Sequence, residues 1–206
     1  MATTRGEVLS PVSNDAADLV AMTEPYIARV TIEGTAALLF HRWSNEAVAE
    51  KAAAAKNSKA KKSDNIESYV YRMDGGNLAL PGEYLRQSLI GAARFRQDPR
   101  SPRKSAMDLY KAAVVPLTEL ADLGVKSWDY LDRRRVLIQR NAITRERPAL
   151  TAGWHATVEL LVNLPEYVDT TTLLETLGAA GRLIGVGDFR PTYGRFAVIG
   201  FEVRRG

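Results

Sequence analysis

Cysteine is absent from the 206 residues, which excludes disulfides, thiolate metal sites and cysteine nucleophiles together. Histidine is scarce, with two residues. A zinc site would have to be completed by carboxylates, so no metal or other cofactor is expected. No apolar run approaches the roughly 20 residues that cross a bilayer. The opening MATTRGEVLSPVSNDAADLV lacks the charged-then-apolar order of a signal peptide. The expectation is a soluble chain that stays in the cytoplasm and has no membrane partner. What is present is an ordinary globular composition, 46% hydrophobic, at a length that fits one domain or one domain with a large insertion.

The net charge is only +4, but it is unevenly distributed. Residues 1–25 carry −3, residues 42–63 carry +4, residues 86–104 and 133–147 carry +5 each, and residues 182–206 carry +3. A single island of this kind is ordinary solvated surface. Four together favour a polyanionic partner, because clustered Lys and Arg displace the counterions condensed on phosphates.

Residues 1–25 are polar and weakly patterned and read as a mobile arm. In Tyr26–Phe40, Tyr26, Ala28, Val30 and Ile32 share one face of a strand, with Gly34 as a bend or bulge. Ser44 or Asn45 can cap a helix through Lys56, and NSKAKKSDN follows as a Lys-rich arm. Ile66–Met73 and Asn77–Leu80 read as a hairpin turning at Asp74-Gly75-Gly76. Pro81-Gly82 opens a helix to about Phe95, with Leu85, Leu89, Ala92 and Ala93 buried. Gln97–Lys104 reads as a proline-broken basic loop, followed by a short helix at Ala106–Ala113. Strands are expected at Val114–Leu120, Val136–Thr144 (ended by Pro148), Trp154–Leu164 and Arg195–Val203. Thr170 caps a helix through Ile184. Without the insertions, the order is strand, helix, strand, strand, helix, strand. The fold class is therefore α+β, with a ferredoxin-like (RRM-like) βαββαβ core. Residues 26–206 form one domain, with insertions at about 42–80 and 97–132. One sheet face is left without helices, a surface that modules of this shape use for single-stranded RNA.

The segment GRLIGVGDFRPTYGRF, residues 181–196, carries the most chemistry. Gly185, Gly187 and Gly194 permit positive φ and let a polyanion approach the backbone. Arg190 and Arg195 add charge, and Phe189 and Tyr193 offer planes for bases. The competing reading is a helix C-cap followed by an ordinary loop. Asp188 is expected to fix the loop by accepting from nearby N–H groups. Arg133, Arg134, Arg135, Arg140, Arg145 and Arg147 lie on a pair of strands. They can grip successive phosphates or protect a sheet edge. Arg42, Arg86 and Arg94 complete the candidate nucleic-acid contacts. His41 is a weak candidate acid or base, and His155 lies on the outer face of a strand.

Two segments together carry a family resemblance. The glycine-rich turn before the last strand resembles the hallmark loop of the RAMP superfamily, the ferredoxin-like proteins of CRISPR effector complexes. Leu80-Pro81-Gly82-Glu83-Tyr84-Leu85-Arg86-Gln87-Ser88-Leu89 is similar to the family's stretch at the start of its first core helix. Pro81, Gly82, Leu85, Arg86 and Leu89 match, while Glu83 and Tyr84 replace serines and Gln87 a glycine. The likeness is closest to the backbone subunits. It implies a non-catalytic subunit that binds single-stranded nucleic acid, RNA before DNA. It also implies self-association into a helical or ring-like homo-oligomer, with other effector subunits as further partners. The cell implied is bacterial or phage-infected, and a stand-alone phage or mobile-element protein has the same look. Two other functions compete: a metal-independent endoribonuclease using His41, and a viral structural or assembly protein. The decisive expectation is spatial. Arg86, Arg135, Arg190 and Arg195 should converge on a groove floored by residues 185–194.

Overall fold

The structure is a computed structural model that describes residues 24–42, 53, 65–138 and 141–206. The expected N-terminal arm, the helix from Ser44 or Asn45, the Lys-rich arm and Arg140 lie outside the described residues. The strands are β1 (Tyr26–Gly34), β2 (Leu38–Leu39), β3 (Tyr71–Arg72), β4 (Leu78–Pro81), β5 (Gln97–Asp98) and β6 (Ser101–Ser105). They continue with β7 (Val114–Pro116), β8 (Leu120–Asp122), β9 (Tyr130–Ile138), β10 (Asn141–Leu150), β11 (His155–Val162) and β12 (Phe196–Arg205). The α-helices are α1 (Gly82–Ala93), α2 (Met107–Ala113) and α3 (Thr170–Leu183).

The main sheet has the order β12-β1-β11-β7, with every neighbour antiparallel. Along the chain its strands and long helices run β1, α1, β7, β11, α3, β12. This is the βαββαβ order with the first and third strands in the centre, so the fold is ferredoxin-like. The cause is visible in the alternation. Tyr26, Ala28, Val30 and Ile32 of β1 and Ala156, Val158, Leu160 and Val162 of β11 are all buried. They form one core with Leu85 and Leu89 of α1 and Leu173 and Leu177 of α3. Each such leucine contributes about 1.5–3 kcal/mol by leaving water. Tyr26 is accommodated because its hydroxyl donates to Val168 O at 2.8 Å. Asp169 accepts from Thr172 N at 2.7 Å, so the cap of α3 lies one residue before Thr170.

Several local expectations are corrected. Gly34 is not the bulge, since the β1–β12 register shifts between Thr31 and Ile32. Gly34 instead makes room for Trp154, whose indole Nε1 would lie 2.0 Å from an added Cβ. Residues 97–104 belong to a hairpin, β5 with β6, and are not an irregular loop. Residues 136–144 are not one strand: Ile138 pairs with Asn141, so the segment spans the two arms of the β9–β10 hairpin. Pro148 does not end a strand. It sits inside β10 opposite Leu131, and its carbonyl accepts from Phe40 N at 3.0 Å. Ile66–Tyr69 is a 3-10 turn, so only Tyr71–Arg72 pair with β4.

The helix-free sheet face is not a basic platform. Arg29 stands opposite Glu159 and Glu202, and Thr31 bonds Thr157 at 3.0 Å. Arg204 donates to Glu159 at 3.0 Å, and Glu33 stands opposite His155. Carboxylates neutralise its arginines, and its side chains on β1 and β11 include no Phe, Tyr or Trp.

Candidate nucleic-acid interface

The loop after α3 is stitched onto the segment that follows β1. Gly194 N donates to Ala37 O at 2.8 Å and Asp188 N to Leu39 O at 3.0 Å, while Val186 N closes the loop on Gly194 O at 2.8 Å. Gly187 and Gly194 have φ of 75° and 68°. A Cβ at Gly194 would lie 1.7 Å from Val186 O, and one at Gly187 would lie 2.7 Å from Leu39 O. Glycine is therefore required here by conformation and by space. Phe189 has φ 60° without being glycine, a conformation that costs a side-chain-bearing residue about 1–2 kcal/mol. Its ring is nonetheless 40% exposed. The loop is spending stability to display that ring.

Asp188 anchors this display. Its carboxylate accepts from Phe189 N at 2.9 Å and from Arg147 Nε, and His41 Nδ1 lies 3.3 Å away. Burial alone would raise its pKa. The bonds from His41 and Arg147, the Arg147 charge and the Phe189 N–H outweigh burial and hold the carboxyl well below the usual carboxylate range. Arg147 is buried, and its Nη1 has no hydrogen-bond partner. Its guanidinium instead faces the Phe189 ring at 5.4 Å. Arg134 lies 5.4 Å from the Phe189 ring and 4.6 Å from that of Tyr193, with Nε on Asp132. Two arginines from the β9–β10 hairpin thus brace the two rings of the loop.

Beside the rings lies an open groove of about 570 Å³ between α1 and the loop, lined by Gln87, Arg94, Gly187, Phe189 and Arg190 among others. Both Arg94 and Arg190 are exposed. The structure brings these two candidates together with Gly187, while Gly185, Gly194 and Tyr193 shape the same loop. Arg42 lies in an adjacent cleft, its guanidinium 5.1 Å above the Tyr71 ring. His41 packs edge-on against Tyr69 at 4.8 Å. Arg86 is committed elsewhere: it donates to Val114 O at 2.7 Å, Lys111 O at 2.8 Å and Glu83 at 3.0 Å, tying α1 to the start of β7. Arg133 pairs with Glu146 at 2.6 Å. Arg145 is half-buried opposite Arg134 on the hairpin. Arg195 is exposed, with its carbonyl holding Thr35 N at 2.9 Å. The side chain of Arg135 lies outside the described residues. Of the four arginines expected to converge, Arg190 lines the groove and Arg86 is held by Val114 O, Lys111 O and Glu83. Arg94 joins Arg190 at the groove, and Arg134 and Arg147 lie against the rings. Sequence reasoning missed the bracing role of Arg134 and Arg147, as well as Gln87 and Tyr71. Arg145 and Arg147 share one face of β10, so their spacing gave no sign that Arg147 would be the buried one. Among the described residues no cluster of His, Asp and Glu could hold a metal. No helix among them is long and apolar enough to cross a membrane.

No family model matches the chain, and no curated protein matches it either. Among solved structures, a chain of the cryo-EM structure of the type III-B Cmr-beta bound to cognate target RNA superposes with a TM-score of 0.52. The match covers 88% of this chain and 61% of that one at 10% identity. What the two chains share is the ferredoxin-like fold. This chain spans less than two thirds of the length of that neighbour. A second neighbour comes from the crystal structure of the Csm3-Csm4 subcomplex in the type III-A CRISPR-Cas interference complex. It covers 89% of this chain and 80% of that one at 12% identity and a TM-score of 0.41. The first of these neighbours supports the ferredoxin-like fold read from the order of strands and helices.

Proposed function

We propose that this chain binds single-stranded nucleic acid, RNA in preference to DNA, as a non-catalytic backbone subunit that self-associates along the strand. On this reading residues 26–206 act as one cytoplasmic domain whose insertions contact neighbouring copies or other effector subunits. The observation that carries it is the groove at the glycine loop, lined together by Arg94, Arg190 and the exposed Phe189. Phosphates are attracted by the arginines, the missing side chains let the strand approach, and a base stacks on the ring. The neighbour bound to target RNA supports this choice of ligand. Affinity for a labelled single strand is expected to fall steeply with salt, log K against log salt having a slope of about −0.7 per phosphate contacted. Fluorescence anisotropy at several salt concentrations measures this, and a flat response counts against the proposal.

One observation favours a second reading. The contact of His41 Nδ1 with the Asp188 carboxylate at 3.3 Å leaves Nε2 as the ring's other nitrogen. A carboxylate-oriented histidine half open to solvent is the arrangement of an acid–base catalyst. A metal-independent endoribonuclease would cleave RNA in the presence of EDTA, and His41→Ala would abolish cleavage. Intact RNA on a denaturing gel after long incubation leaves the non-catalytic reading in place.

A further inference from the structure

Helix α1 joins the groove to the second cleft. Glu83, in its first turn, lines a cleft of about 610 Å³ with Arg42, Tyr71, Pro116 and Glu119. Gln87, Gly91 and Arg94 line the groove at the loop. Arg94 continues the helical path, with φ −62° and ψ −25°. At 3.6 residues per turn, positions 83, 87, 91 and 94 fall within about 80° of one helix face, and at 1.5 Å per residue they form a stripe roughly 16 Å long. Tyr84, next to Glu83 on the helix, places its hydroxyl 3.5 Å from that of Tyr71. The two depressions are therefore successive stations on one track.

We infer that the second cleft is a nucleobase subsite on the same strand, and that it takes bases carrying an exocyclic amino group in preference to uracil. The inference rests on the proposed binding of a single strand. The Tyr71 ring is pinned before any ligand arrives, edge-on to Tyr84 at 6.0 Å and under Arg42. A fixed ring stacks a base without first losing rotamer freedom. The volume lies within the roughly 300–1,000 Å³ of small-ligand pockets. The lining carries both signs, Arg42 and Arg72 beside Glu83 and Glu119. Arg72 is held by Glu67, Gly76 O and Lys126 O, and Arg42 lies over the Tyr71 ring, so the carboxylates decide in favour of the base. Glu83 and Glu119 would repel a phosphate, whereas a carboxylate accepts from an amino group such as cytosine N4. Glu83 is already engaged by Arg86 and Gln87, which leaves the exposed Glu119 as the acceptor. Uracil would present its O4, also an acceptor, to that carboxylate.

Anisotropy with labelled oligocytidylate and oligouridylate tests this on the full chain. The wild type is expected to bind oligocytidylate about fivefold more tightly, the worth of one net hydrogen bond. Tyr71→Ala should weaken both by at least about fivefold, while Tyr71→Phe, which keeps the ring, should not. Glu119→Gln should equalise the two ligands without lowering affinity for oligouridylate. Equal wild-type affinities, or undiminished binding by Tyr71→Ala, overturn the subsite if reversing the charges of Arg94 and Arg190 still abolishes binding. If that charge reversal is also without effect, the underlying strand-binding reading fails with it.

Discussion

Reversing the charges of Arg94 and Arg190 together is expected to lower affinity for single-stranded RNA by roughly 30- to 1,000-fold, two charge-assisted contacts at about 1–2 kcal/mol each. The argument is geometric. Both residues line the same groove as Gly187 and Phe189, so a single strand entering the groove meets both. Neither is needed to hold the fold in the way that Arg86 is, with its donors spent on two backbone carbonyls and Glu83. The salt dependence should change as well: losing two phosphate contacts lowers the slope of log K against log salt by about 1.4. Arg204→Ala is the control. It removes a cation from the carboxylate-bearing sheet face, where Arg204 already pairs with Glu159, and should leave affinity within about twofold. If Arg204→Ala weakens binding as much as the groove variant, the attraction is diffuse and the groove is not the site.

Replacing Asp188 by alanine is expected to cost about 2–4 kcal/mol of stability. Removing one partner of a buried pair costs about 3–5 kcal/mol because a charge is left without compensation. Asp188 is partly open to solvent, 31% against 8% for Arg147, which lowers the figure. The guanidinium of Arg147 already has one nitrogen without a partner, so it has no spare acceptor to turn to. The same carboxylate fixes a pH dependence. Its pKa is depressed in the folded state, so the unfolded chain takes up the proton first as the solution is acidified. Its contribution is complete above the ordinary carboxylate pKa of about 3.9 and is lost as the pH falls through the lower folded value. Thermal melts by circular dichroism below about pH 4 should show the wild type losing stability more steeply than Asp188→Asn. Parallel lines for the two proteins would mean that another carboxylate governs the acid limb.

Much of the core was legible because its signals are local. Alternating Tyr26, Ala28, Val30 and Ile32 fixed the buried face of β1, and the Pro81-Gly82 step fixed the start of α1. The three loop glycines marked positions of positive φ. The interface was less legible because its contacts cross the chain. Arg147 and Asp188 are 41 positions apart, and nothing local marks their pairing. Arg94 and Arg190 meet only because α1 and α3 lie side by side. Residues 136–144 read as one strand because Val136, Leu137 and Ile138 give no local sign of the reversal by which Ile138 pairs with Asn141. The open sheet face misled for another reason: fold analogy says where a surface is, but only residues such as Glu33, Glu159 and Glu202 say what it will attract.

The backbone bonds from Asp188 and Gly194 to Leu39 and Ala37 mean that the recognition loop is finished before a ligand arrives. A partner meeting it has no conformational search to wait for, so association can proceed at the pace of encounter and affinity is set by how slowly contacts are released. If copies line up along one strand as proposed, each unit presents an identical, ready-made seat, and lateral spread depends on neighbours touching rather than on reshaping each new arrival.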